Sequence, residues 1–111
     1  AIGALLFAIA RRRMNLRIFF FALAEALAQA GIEAGLPPDA ARTLADRTAA
    51  GAGAMLADGE VDAGTLRERV TSPGGTTAAA LDQFRADRLE AIVARAVDAA
   101  IRRGRELGSA E

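Results

Sequence analysis

The 111 residues include no cysteine, histidine, tryptophan or tyrosine. Without cysteine there is no disulfide scaffold and no thiolate nucleophile, and without histidine a Cys/His zinc site and an imidazole base are excluded as well. Five phenylalanines are the whole aromatic complement, which leaves little material for base-stacking platforms or aromatic cages. Neither sign of charge is in excess, because fourteen basic and fourteen acidic residues cancel. Nucleic-acid binding needs a concentrated positive face that this balance does not provide, so proteins or small molecules are the expected partners. Only three residues are proline, while 52% are hydrophobic and 25% charged, the composition of a folded, soluble domain rather than a disordered segment. The length fits one domain over residues 1–111 with a modest core. Absence of cysteine is compatible with the cytoplasm.

What the chain does have is helical periodicity, with no alternating β-rich segment and no internal repeat. Residues 1–10 are nearly all apolar and are followed by Arg11, Arg12 and Arg13. This run is about half the length of a membrane-spanning helix, and its charge follows the apolar part, the reverse of a secretory signal. A buried or partner-covered helix end is the favoured reading, with an interfacial amphipathic anchor as the alternative. From Leu16 to Ala34 the residues Leu16, Phe20, Leu23, Leu27 and Ala30 recur at spacings of three and four, which predicts a helix with one apolar face. Phe19, Phe20 and Phe21 read as ordinary core. Gly31 weakens the helix locally, and Gly35 and Pro37 end it.

Pro38 opens the next helix, since a missing amide costs least in the first turn. Ala41, Leu44, Ala45, Thr48, Ala52, Met55 and Leu56 share one side of it, and the small residues from Ala49 to Ala54 permit close approach of another backbone. Gly59 is a stop signal, and Asp62 caps a short helix reaching Arg69. A further helix starts at Thr76 or Thr77 and includes Ala78, Leu81 and Phe84. Asp87 and Glu90 resemble a reciprocal capping pair. The last helix runs from about Arg88 to Leu107, with Gly108 as its end. An all-α architecture follows. Many of its apolar positions are alanine, whose burial contributes much less than leucine at about 25 cal/mol per Å². Closing two thin apolar faces in a two-fold dimer offsets that deficit.

The stretch TSPGGTT, Thr71 to Thr77, is the one rigid corner. Ser72 precedes a proline, Gly74 and Gly75 permit a sharp turn, and the helix that follows presents its amino end. Backbone amides converging there suit a carboxylate or phosphate; the plainer reading is a helix cap with a flexible approach. Neither a phosphate-binding loop nor a dinucleotide fingerprint is present, and the glycines of GAGAM, Gly51 to Met55, are better explained by helix packing. Asp58, Glu60 and Asp62 are accounted for by capping and solvation. Glu25 has no carboxylate partner at a catalytic spacing, and Arg102, Arg103 and Arg105 suit the negative end of a helix.

Three stretches carry a resemblance: EALAQAGIEAGLP from Glu25 to Pro37, RERVTSPGGTTAAAL from Arg67 to Leu81, and EAIVARAVDAAIRRGRELG from Glu90 to Gly108. Together they resemble the carboxy-terminal domain of pyrroline-5-carboxylate reductase, over about three quarters of the chain from roughly Leu23 to Leu107. The resemblance implies an intertwined helical homodimer, with higher oligomers open, in a cytoplasmic enzyme that reduces 1-pyrroline-5-carboxylate to L-proline. It also implies that a separate Rossmann domain, not found in this sequence, binds NADH or NADPH, so that this chain alone is expected to bind no cofactor and to turn nothing over. Carried onto this sequence, Thr77 stands nearest the substrate nitrogen as the catalytic candidate. Gly75 and Thr76 supply backbone contacts to the carboxylate, and Ser72 and Gly74 shape the corner. The family's Ser-Gly-Ser-Gly-Pro-Ala-Tyr-like turn is replaced here by ARRRMNL, Ala10 to Leu16, which reads as a continuous basic helical segment. An inactive structural or regulatory dimer is the alternative that this replacement raises.

Overall fold

The computed structural model describes residues 14–110, and all of its regular structure is α-helical. Its helices are α1 (Arg17–Glu33), α2 (Pro38–Asp58), α3 (Ala63–Arg69), α4 (Thr76–Ala86) and α5 (Leu89–Ala110). They fall into two compact units, Leu16–Val70 and residues 71–110. The apolar run of residues 1–10 and the arginines after it lie outside the described residues, as does most of ARRRMNL. Of that last stretch, Met14 and Asn15 are not helical and α1 starts only at Arg17, so the expected continuous helix does not extend across them. Among the described residues, no helix is long and apolar enough to cross a membrane.

In the first unit, α1 and α2 form a helical hairpin. α1 ends within a residue of its expected boundary because Gly35 takes φ 110°, donates its amide to Ile32 and lets Leu36 donate to the Gly31 carbonyl, both at 3.0 Å. This Schellman arrangement satisfies carbonyls that the end of a helix leaves open. Pro38 then starts α2 without losing a hydrogen bond. Gly59, at φ 74°, closes α2. Asp62 caps α3 as the sequence indicates, its carboxylate accepting the Thr65 amide at 2.8 Å, and that bond holds the carboxyl below its ordinary range.

The apolar face expected on α1 is not the face that packs within the chain. Phe20, Leu23 and Leu27 remain 61%, 53% and 51% exposed, Ala30 and Phe21 are exposed too, and only Phe19 of the phenylalanine cluster is half-buried. α2 is met instead by the row Ala24, Ala28, Gly31 and Ile32, each half-buried. Small residues win because they let the two backbones come closest: a Cβ at Gly31 would stand 3.3 Å from Ala41 Cβ. Ala41 and Ala45 are the only buried apolar side chains among the described residues. Of the side expected on α2, Leu44, Met55 and Leu56 are exposed, and so is every residue from 46 to 60. Cβ atoms built on Gly51 and Gly53 would meet nothing within 4 Å, so no element of the described chain uses the close approach that these glycines allow.

In the second unit, α4 and α5 are joined by Asp87 and by Arg88 at φ 57°, left-handed without being glycine. The reciprocal capping pair does not form as expected. Asp87 ends α4, with its carboxylate accepting from Gln83 Nε2 at 2.9 Å. α5 continues through Gly108 to Ala110, because Gly108 does not adopt positive φ and a glycine in helical geometry weakens a helix without ending it. Arg102 and Arg103 pair with Asp98 at 3.1 Å and Glu106 at 2.9 Å, exposed one-turn pairs that contribute a few tenths of a kcal/mol each. Leu89, Ile92 and Val93 on α5 stay 40 to 47% exposed.

Candidate functional site

The corner is built by local backbone chemistry. Ser72, Pro73, Gly74 and Gly75 form a β-turn closed by the Gly75 amide donating to the Ser72 carbonyl at 3.0 Å. Proline at the second position and a glycine at φ 71° in the third make it type II. Gly75 is then the N-cap of α4, extended at φ −87° and ψ −179°, and its carbonyl accepts the first helical bond, from Ala79, at 3.1 Å.

That arrangement leaves the amides of Thr76, Thr77 and Ala78 as the open donors of the first turn. None has a partner among the described residues, and no side chain caps the helix. The first turn of α4 carries no acidic residue, so no side chain of that turn offsets the positive end of the helix dipole. Ser72 and Thr76 are exposed and Thr77 is half-buried. All five residues singled out in the sequence, Ser72, Gly74, Gly75, Thr76 and Thr77, therefore belong to one turn-to-helix junction. The Gly75 amide is taken up inside the turn by the Ser72 carbonyl. Ala78 was missed in the sequence; counting three amides beyond an N-cap at Gly75 would have found it.

The residues present do not suit a dinucleotide. Among the described residues no strand precedes the corner, and its adjacent glycines lack the spacing that brings a backbone against a pyrophosphate. Among the described residues there is also no group of acidic side chains placed to hold a metal ion.

An open groove of about 370 Å³ lies between α1 and α2, its lining including Phe21, Ala28, Ile32, Glu25, Arg42 and Asp46. No residue of the corner lines it.

Residues 18–107 match the family model described as pyrroline-5-carboxylate reductase dimerisation. The matched region starts earlier than the motif-based extent, taking in the phenylalanine cluster of α1. The pyrroline-5-carboxylate reductase of Pseudomonas aeruginosa is 45% identical over 89 residues, covering 80% of this chain and 33% of that protein. That of Arabidopsis thaliana is 42% identical over 89 residues, 80% of this chain and 32% of the relative. That of Vibrio alginolyticus is 42% identical over 90 residues, 80% and 33%. The chain thus spans about a third of the length of the curated relatives it matches. With the family model covering all but the two ends, and with the TSPGGTT corner at the start of α4, this chain belongs to the pyrroline-5-carboxylate reductase dimerisation family.

Proposed function

We propose that this chain is the dimerisation and substrate-pocket part of a pyrroline-5-carboxylate reductase, the enzyme that reduces 1-pyrroline-5-carboxylate to L-proline with NAD(P)H. The single observation that carries the substrate part is the trio of unpartnered amides at Thr76, Thr77 and Ala78, at a helix end with no acidic residue in its first turn. A small carboxylate is the anion that such a donor set accepts without a mobile side chain. In this reading the Thr76 and Thr77 amides hold the carboxylate, and the Thr77 hydroxyl stands beside the ring nitrogen, where it orients the C=N bond and accompanies its protonation. Ser72 and Gly74 shape the turn. The hydride donor is held by a nucleotide-binding domain outside this chain.

The partner is a second copy of the chain in a cytoplasmic homodimer. Support comes from the uncovered leucine and phenylalanine face of α1 and from the exposed small-residue stretch of α2, which two thin helical layers bury together. The alternative, a dimer that has kept the fold and lost catalysis, draws on the stretch ARRRMNL, Ala10 to Leu16, which differs from the glycine- and hydroxyl-rich turn that the resemblance implies before the first helix. L-proline titrated into isotope-labelled protein and followed by amide NMR separates the two. Shifts concentrated at Thr76, Thr77 and Ala78, weakened in Thr77→Ala, are expected for a substrate pocket. A dimer whose corner amides stay unmoved at millimolar proline sinks the pocket reading and leaves the structural one.

A further inference from the structure

The two glycines of the corner are glycine for different reasons. Gly74 stands at φ 71°, a backbone that L side chains rarely adopt. Gly75 has an extended backbone open to any residue, and what sets it apart is space. A Cβ there would lie 3.1 Å from the Ser72 carbonyl oxygen and 3.4 Å from Ser72 Cβ. That same oxygen accepts the Gly75 amide at 3.0 Å, so a side chain at position 75 and the hydrogen bond that closes the turn compete for one volume. Gly75 donates back into the turn and accepts forward from Ala79, which makes it the joint between a rigid turn and a rigid helix.

The geometry points to Gly75 as a positioning residue for the carboxylate and not as one of its ligands. This assignment rests on the substrate-pocket reading above and changes the role of one member of the motif. Its amide is spent on Ser72, and what it gives the site is orientation: the turn is clamped against the first residue of α4, so the neighbouring Thr76 and Thr77 amides point at one place. Two adjacent donors hold a carboxylate only while both keep their alignment, because hydrogen bonds weaken steeply as the angle at the donor closes. A methyl group at position 75 pushes against the Ser72 carbonyl, which is backbone and cannot turn aside as the end of a flexible side chain does. The displacement is passed to the two amides next in sequence.

The test is an amide NMR titration of wild-type protein and Gly75→Ala with L-proline, and with pyrrolidine as the same ring lacking the carboxylate. In wild type, the proline-induced shifts are expected at Thr76 and Thr77 while the Gly75 amide keeps its protection from solvent. In Gly75→Ala, L-proline binding weakens by about tenfold, the loss of one charge-assisted hydrogen bond, while the weak affinity for pyrrolidine and the dimer mass are unchanged. Equal proline affinity in the two proteins overturns the inference. So does a wild-type titration in which the Gly75 amide loses its protection or moves most, and that measurement stands even where the variant fails to fold. Absence of any proline response in wild type defeats the substrate-pocket reading first, and this inference with it, so the two failures are told apart.

Discussion

A methyl group on Gly31 would meet Ala41 Cβ and Leu36 Cδ1, each at 3.3 Å. The Leu36 methyl can rotate away, but the Ala41 Cβ is fixed to the α2 backbone, and Ala41 is buried. Two effects therefore oppose each other in Gly31→Ala: a gain of about 1 kcal/mol in helix propensity and a tight contact at the closest approach of the hairpin. Gly31→Val removes the ambiguity, since a branched side chain cannot fit in that space and valine is a poorer helix former than alanine. Destabilisation by about 1–3 kcal/mol is expected for Gly31→Val, read as a lower urea midpoint with an unchanged slope; a midpoint equal to wild type would show that α1 and α2 do not pack through this glycine. The sequence alone marks Gly31 only as a weak point in a helix. Its use lies in a contact ten residues away, which no local pattern displays. Asp62, Gly35 and Gly59 were legible because capping and chain reversal depend on residues within one turn.

Helix existence was legible throughout, since each helix has periodic apolar residues and its own start or stop chemistry; the direction each helix faces was not. In α1 the strongest apolar stripe, Phe20, Leu23 and Leu27, is more than half exposed, and a row of alanine, glycine and isoleucine packs inside the chain. Periodicity identifies surface that needs covering without saying whether the same chain covers it. A second copy is the proposed cover, and hiding the remainder of each such side chain contributes about 1 kcal/mol. Leu27→Arg tests this at the level of the element, because the substitution keeps helix propensity nearly constant while placing a charge on the face. The expected result is a shift from dimer to monomer in light-scattering mass at micromolar concentration, with a lower thermal midpoint. An unchanged dimer would mean that α1 turns this face to solvent. The extension of α5 through Gly108 escaped for a related reason: glycine marks a helix end only when it takes positive φ, and residue type alone does not fix that choice.

At the scale of the molecule, the described helices bury two alanines and leave leucine, isoleucine, valine and phenylalanine exposed on α1, α2, α4 and α5. Hydrophobic stabilisation scales with apolar area removed from water, so a chain with this distribution is proposed to complete its interior across a dimer. The functional division follows the same line. In the proposed reading the corner supplies fixed donors for a carboxylate, whereas reducing a C=N bond also requires a hydride and a surface that holds its donor against the ring. A helix start after a type II turn, with no strand behind it among the described residues, does not provide that surface. The relatives are about three times as long as the stretch matched here, which leaves room in them for a nucleotide-binding domain. From this comes the expectation that the chain mixed with NADPH and 1-pyrroline-5-carboxylate shows no absorbance loss at the nicotinamide band above the uncatalysed rate. Orientation of one substrate cannot convert a two-substrate reaction into a unimolecular one while the other diffuses freely. Sustained turnover by the purified chain, abolished by Thr77→Ala, would refute the division of labour and require the hydride donor to be held by these helices themselves.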